Sequence, residues 1–361
     1  MDIDCQSFNS LLLWEPWEVL KSDKTPYKVF TPFYRKGCMK ASFPREPLPV
    51  PEKLSLIKDI NSSSIEKLGL LPVIKWYSSL ENHWKIGEEN AQDVLKNFLE
   101  GNLDKYKESR NFPTKNHTSH LSPYLHFGEI SPNQIWYKTQ YKRLLGPSLD
   151  NDADRFLSEL GWREFSYYML YHFPDIPTQN LQKKFDQFPW QSNTELLQSW
   201  QKGQTGYPII DAGMRELWQT GYMHNRVRMI VGSFLTKNLL LDWRHGAAWF
   251  WDCLVDADLA NNSASWQWVA GTGVDPAPYF RIFNPIIQGE KFDPEGTYTR
   301  RFIPELALLP IKHLFKPWEA PPQVLEEAGV VLGKNYPKPI IDLAFSRERA
   351  LAAFSSLTEY F

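Results

Sequence analysis

Two stretches carry side chains that a purely structural helix would not be expected to hold. TGYMHNRVRM at 220–229 and DADLANNSASWQW at 256–268 set carboxylates, arginines, asparagines and tryptophans among residues that otherwise read as buried helix. A helix through His224 to Phe234 puts Asn225, Arg228 and Met229 on one face and turns Arg226 away from it, outward. In the second stretch Asp258, Asn262 and Trp266 repeat every four residues, so an acid, an amide and an indole align on one side of a continuous helix. An unpaired buried charge costs several kcal/mol. Such a row therefore needs either a polar ligand or an ion-pair network around packed tryptophans, and the spacing leaves both open.

Three further groups could do chemistry. Phe156, Glu159, Trp162, Arg163 and Ser166 share one helical face, and a plain core stripe would not carry Glu and Arg; an i,i+4 ion pair between Glu159 and Arg163 is the structural alternative. In TSHLSPYLHFGEISPNQIW at 118–136, Ser122-Pro123 and Ser131-Pro132 each read as an N-cap followed by a first-turn proline, so two helices begin there. The free N–H groups at such starts also bind phosphate. Trp190, Trp243 and Trp266 are scattered along the chain, and any one of them alone reads as core.

The elements that must position these groups are helical. From Gly87, Ala91, Val94, Leu95, Phe98 and Leu99 recur at helical spacing, with Gly101 as a stop signal. A last helix is expected from about Ser346, with Ala350, Leu351 and Phe354 as its apolar stripe. Before that, residues 1–85 hold Pro44, Pro47, Pro49 and Pro51 and little periodicity, so they read as an extended connecting segment with short helices. The helical domain is expected over 86–361.

At 361 residues the chain can bury a large core. Aromatics make up 15% of it, including 15 Trp, which suits stacking surfaces for planar ligands as well as packing. The net charge of -2 and pI near 6.5 give no global basic field, so any nucleic-acid contact must use a local patch. Cys5, Cys38 and Cys253 lie far apart with no metal-ligand spacing, which argues against a disulfide framework, a zinc site or an iron–sulfur cluster. No metal is expected. The start MDIDCQSF lacks the apolar core of a signal peptide, and no stretch reaches ~18 apolar residues. A cytoplasmic, monomeric protein without a membrane partner is the expectation.

The wording of the motifs goes further. GQTGYPIIDAGMREL, MHNRVRMIVGSFLTKNLLLDWR, DADLANNSASWQWVAGTG and APYFRIFNPIIQGEKFDPEGTY resemble the flavin-binding helical domain of the DNA photolyase and cryptochrome family, and within it the class I cyclobutane-pyrimidine-dimer photolyases. The resemblance implies a mainly α fold and FAD, active when reduced. It implies that Tyr106, Thr118, Ser119, His120, Leu121, Ser122, Phe156, Arg163, Arg228, Asp256, Ala257, Asp258 and Asn262 hold the cofactor, with His120 at a position where the family varies. Trp266, Trp243 and Trp190 match the family's electron-transfer chain, Trp266 innermost. Glu159, Trp162, Asn225, Met229 and Trp268 match the pocket for the flipped lesion, and Asn262 matches the amide facing the flavin ring. Arg110, Arg226, Arg281 and Gln288 match residues that grip the DNA strand. Asn225 and Met229 stand where (6-4) photolyases carry histidines, which points to the cyclobutane dimer. The opening segment resembles the family's interdomain connector; the α/β antenna domain that precedes it there is not in the sequence, so no antenna chromophore is expected. A photoreceptor without repair activity, and a fragment that binds flavin poorly, are the competing functional readings.

Overall fold

The computed structural model describes residues 3–56 and 62–357. Among them the chain is helical, with two isolated bridges, Gln191 to Leu241 and Leu332 to Tyr336, in place of any strand. This is the mainly α architecture expected. No helix among the described residues is long and apolar enough to cross a membrane, and no group of three or more His, Cys, Asp or Glu is placed to hold a metal ion.

Four helices matter most here: α1 (Asp150–His172), α2 (Asn225–Ser233), α3 (Trp243–Cys253) and α4 (Leu259–Ala270). Their starts are set by side chains that take up free backbone N–H groups. His224 accepts from the Arg226 amide at the start of α2, Asp242 from Arg244 at α3, and Asp258 from Asn261 at α4. The expected span from His224 to Phe234 is thus α2 with its cap, and the chain then runs on through one wider π-helical turn, Phe234–Asn238.

Of the other starts and stops, that at Ser131 matched expectation, and the rest departed from it for identifiable reasons. Ser131 forms a full capping box with Gln134 ahead of the helix Pro132–Leu145. Ser122 does not cap: it is the first residue of the helix Ser122–His126, and its hydroxyl donates to Asp256 at 2.6 Å. The helix Glu88–Asn97 continues past Gly101 in a wide turn, Phe98–Asn102, because Phe98 is buried against Phe156 with ring centroids 4.5 Å apart. Tertiary packing here outweighs the glycine's stop signal. The last helix, Leu343–Ser356, starts ahead of Ser346 because Asp342 caps it, accepting from the Phe345 amide at 2.8 Å.

The core has two large parts. One gathers Trp200, Trp243, Phe250, Trp266 and the apolar residues of α2. The other gathers Leu95, Phe156, Leu160 and Phe165 with residues of the opening segment, namely Leu13, Trp14, Phe30, Phe33, Tyr34 and Cys38. Residues 13–41 are therefore built into the helical core, whereas most described side chains between 43 and 74 are exposed. Helices α1 and α4 pack against each other where the two parts meet.

Candidate active site

Between the two core parts lies a cavity of about 830 Å³, within the size range of ligand pockets. Helix α1 lines it with Phe156, Glu159, Trp162, Arg163 and Ser166; α2 with Asn225, Arg226, Arg228 and Met229; α4 and its approach with Asp256, Ala257, Asp258, Asn262, Trp266 and Trp268; and the loop before Pro123 with Thr118, Ser119, His120, Leu121 and Ser122. Tyr106 and Arg110 close one side. Four candidates lie outside it: Trp243 and Trp190, expected farther along an electron chain, and Arg281 and Gln288. Arg281 is exposed and Gln288 half-buried.

The polar groups are ordered around ion pairs. Arg228 donates through Nη2 to both Asp256 oxygens, at 2.9 and 3.1 Å, and through Nε to the Met223 carbonyl at 2.7 Å. Burial works against the Arg228 charge, but Asp256 more than offsets it, so its pKa is raised. Asp258 accepts a close hydrogen bond from the Tyr167 hydroxyl and lies 3.6 Å from His126. The Asn262 amide donates to the Ala247 carbonyl at 2.9 Å. Glu159 pairs closely with Arg110 and, at 2.9 Å, with Arg155. It does not pair with Arg163, which donates to the Leu11 carbonyl at 2.6 Å and lies 3.5 Å from Glu164.

Arg226 is not turned out to solvent. Its guanidinium sits 4.4 Å over the Phe292 ring and donates to Asn111 at 2.6 Å, on the cavity wall. No carboxylate balances it: burial first, then the Arg110 charge, lower its pKa. Arg110 likewise is largely buried against Glu159. Buried nitrogens without a partner occur at Arg226 Nε, Arg163 Nη2 and His224 Nε2. His224 uses Nδ1 to accept the Arg226 amide, so Nε2 carries the hydrogen. Burial, with His120 and three nearby arginines, pushes its pKa down to about 3.

His120 itself sits in the left-handed region, φ 53°, and bends the 118–122 loop around the cavity. Its ring lies 4.9 Å from that of the half-buried Tyr222, whose phenol is pushed up to about 12, chiefly by desolvation. Tyr222, His126, Asn261 and Arg155 line the cavity but were not singled out from sequence. The i,i+4 step from Arg155 to Glu159 was a usable signal for one of them; nothing in the spacing pointed to the others.

Six cationic side chains, Lys107, Arg110, Arg155, Arg163, Arg226 and Arg228, face three carboxylates, Glu159, Asp256 and Asp258, in the lining. The cavity is thus basic inside a chain of net charge -2. Its wall also offers the rings of Trp162, Trp266 and Trp268. Unpaired guanidinium nitrogens, a surplus of cations and aromatic faces together fit an anionic ligand with a planar ring system, as a flavin dinucleotide is.

Comparison with known proteins agrees. Residues 156–356 match the FAD binding domain of DNA photolyase, and residues 1–52 match the family described as DNA photolyase. The chain belongs to the photolyase and cryptochrome family. It is 49% identical to a deoxyribodipyrimidine photo-lyase of Agrobacterium fabrum over 98% of its own length and 73% of that protein. It is 41% identical to cryptochrome-2 of Arabidopsis thaliana, over 99% of this chain and 60% of that one. A crystal structure described as a bacterial class III photolyase from Agrobacterium tumefaciens superposes with TM-score 0.92 at 48% identity, covering 98% of this chain and 73% of that one.

Proposed function

We propose that this chain is a DNA photolyase that splits cyclobutane pyrimidine dimers under blue light. The observation that supports it best is the cavity, which joins a cation-rich pocket suited to FAD with a set of aromatic and polar side chains suited to an extruded base pair. Reduced FAD, when bound, supplies the electron that opens the cyclobutane ring, a task no protein side chain performs.

The chain's own residues do the rest. Arg228, held by Asp256, and the 118–122 loop grip the cofactor, with Asp258 and Asn262 beside its ring. Trp162 and Trp268 stack on the flipped dimer, and Glu159 and Asn225 bond its polar edges. Arg110, Arg226, Arg281 and Gln288 position the strand without reading its sequence. Trp190, Trp243 and Trp266 carry electrons from the surface toward the cavity; Trp190 is half-buried, while Trp243 and Trp266 are buried.

Within the family, likeness to the Agrobacterium class III structure favours class III over the class I placement suggested by the motifs. The likeness to a plant cryptochrome keeps one alternative in play, a photoreceptor without repair. One experiment decides between repair and photoreception. The purified protein should show a flavin spectrum, and after reduction it should restore a thymine-dimer oligonucleotide under blue light and not in darkness. A flavin spectrum with no light-dependent repair would leave the photoreceptor reading standing, and a colourless protein after FAD incubation would remove both.

A further inference from the structure

The opening segment does more than reach the helical core. Phe30 lies flat on the Trp162 indole, with ring centroids 3.7 Å apart and planes within 10°. Tyr34 stacks behind Phe30 at 5.6 Å and 9°, making a three-ring pile whose last member, Trp162, is the one that lines the cavity. Phe30 and Tyr34 line a separate, smaller cavity of about 280 Å³. The stacked rings of Phe30 and Trp162 thus stand between the two spaces.

The pile is built in from three directions. Gly161, next to Trp162 on α1, leaves room for Tyr34: a Cβ there would lie 2.6 Å from the Tyr34 ring. The Phe165 ring meets Trp162 edge-on at 6.0 Å and 75°. The Phe30 amide donates to Asp275 at 3.0 Å, so the loop after α4 anchors the residue that backs Trp162. Asp275 has φ 49°, a left-handed conformation that surroundings must enforce in a non-glycine residue.

We propose that Phe30 is a positioning residue for dimer recognition, set in place by Asp275. It covers one face of the Trp162 indole and fixes the ring plane, so that only the opposite face and the edge are offered to a base. This rests on the proposed role of Trp162 as a stacking surface for the flipped dimer. A rigid platform matters because a ring free to turn must be ordered on binding, which weakens the complex.

The test compares Phe30→Leu, Phe30→Tyr and Trp162→Ala in the full chain. Leucine keeps an apolar volume but cannot stack; tyrosine keeps the ring. Flavin absorbance, affinity for dimer-containing and undamaged duplexes, and KM and kcat of repair by reduced enzyme are measured. Phe30→Leu should retain flavin, lose about tenfold in affinity for the dimer with a matching rise in KM, and keep kcat and undamaged-DNA affinity. Phe30→Tyr should restore the affinity. If Trp162→Ala weakens dimer binding and Phe30→Leu does not, this inference fails alone. If Trp162→Ala leaves dimer binding intact, the site reading and the inference fail together. Parallel loss of flavin in Phe30→Leu without rescue by tyrosine would make Phe30 merely structural and overturn it too.

Discussion

Asn225 is the cleanest single residue on which to try the site. Asn225 is exposed, and among the described residues its side chain makes one weak hydrogen bond, Nδ2 to Met229 Sδ at 3.9 Å. Replacement by alanine should change stability by less than about 0.5 kcal/mol, since no buried group loses a partner. A lost hydrogen bond to the lesion is worth about 1 kcal/mol, or roughly fivefold in affinity. Asn225→Ala should therefore bind dimer-containing DNA about fivefold less tightly in an anisotropy titration, with flavin content unchanged. Equal weakening for undamaged DNA would show that Asn225 does not touch the dimer. At this scale the sequence was a good guide to which side chains meet and a poor guide to their partners. The face Phe156, Glu159, Trp162, Arg163 assembled as its periodicity implied, yet Glu159 pairs with Arg110 from a distant turn and with Arg155 one turn earlier on its own helix, and not with Arg163. Local spacing fixes which face a residue occupies and offers it i,i+4 partners on both sides, whereas the choice among them depends on the charge the fold brings opposite, here Arg110.

Among elements, the contact between α3 and α4 carries the site. Gly246 on α3 sits so close to α4 that a Cβ there would lie 2.1 Å from the Trp266 ring. Trp266 cannot withdraw easily, because Phe250 meets it edge-on at 5.0 Å and Trp200 closes on it at 6.2 Å. Gly246→Ala should thus drive the indole toward the cavity it lines, at a cost of about 1–3 kcal/mol or more. The expected result is a lower Tm together with poorer flavin retention, read from the ratio of visible to ultraviolet absorbance. A variant that melts and binds flavin like the parent would refute the close fit. None of this was legible beforehand. Gly246 looks from sequence like an unfavourable residue inside a helix, and only the approach of α4 gives it a purpose. Helix identity was legible from apolar periodicity; ends were less so, because Asp342 as a cap and Phe98 as a packing anchor act through contacts that spacing does not reveal.

Across the whole molecule, the opening segment was read as a connector because its prolines hide any periodicity, but its backbone is tied to α1 by a buried carboxylate. Glu164 accepts from the Leu13 and Trp14 amides at 2.9 and 3.3 Å, and its neighbour Arg163, which lines the cavity, holds the Leu11 carbonyl. Burial pushes the Glu164 carboxyl up from 4.5 to about 7, against the opposing pull of Arg163 and the two amides. The folded protein therefore holds this proton more tightly than the unfolded chain does. Below pH 4.5 both states are protonated and the group costs nothing. Between 4.5 and about 7 the unfolded chain ionises first, so stability falls as pH rises; above that the full cost, roughly 3 kcal/mol, persists. Glutamine keeps an oxygen for the two amides and never ionises. Glu164→Gln should accordingly melt a few degrees above the parent at pH 8, and the gap should close or reverse as the pH is brought down to 4.5. Comparing variant with parent at each pH cancels the other buried groups that titrate, Glu216 and His224 among them. A difference in Tm that does not vary with pH would mean that burial and the attraction to Arg163 cancel at Glu164, and one that grows toward acid would mean that the attraction outweighs the burial; either result overturns the raised pKa.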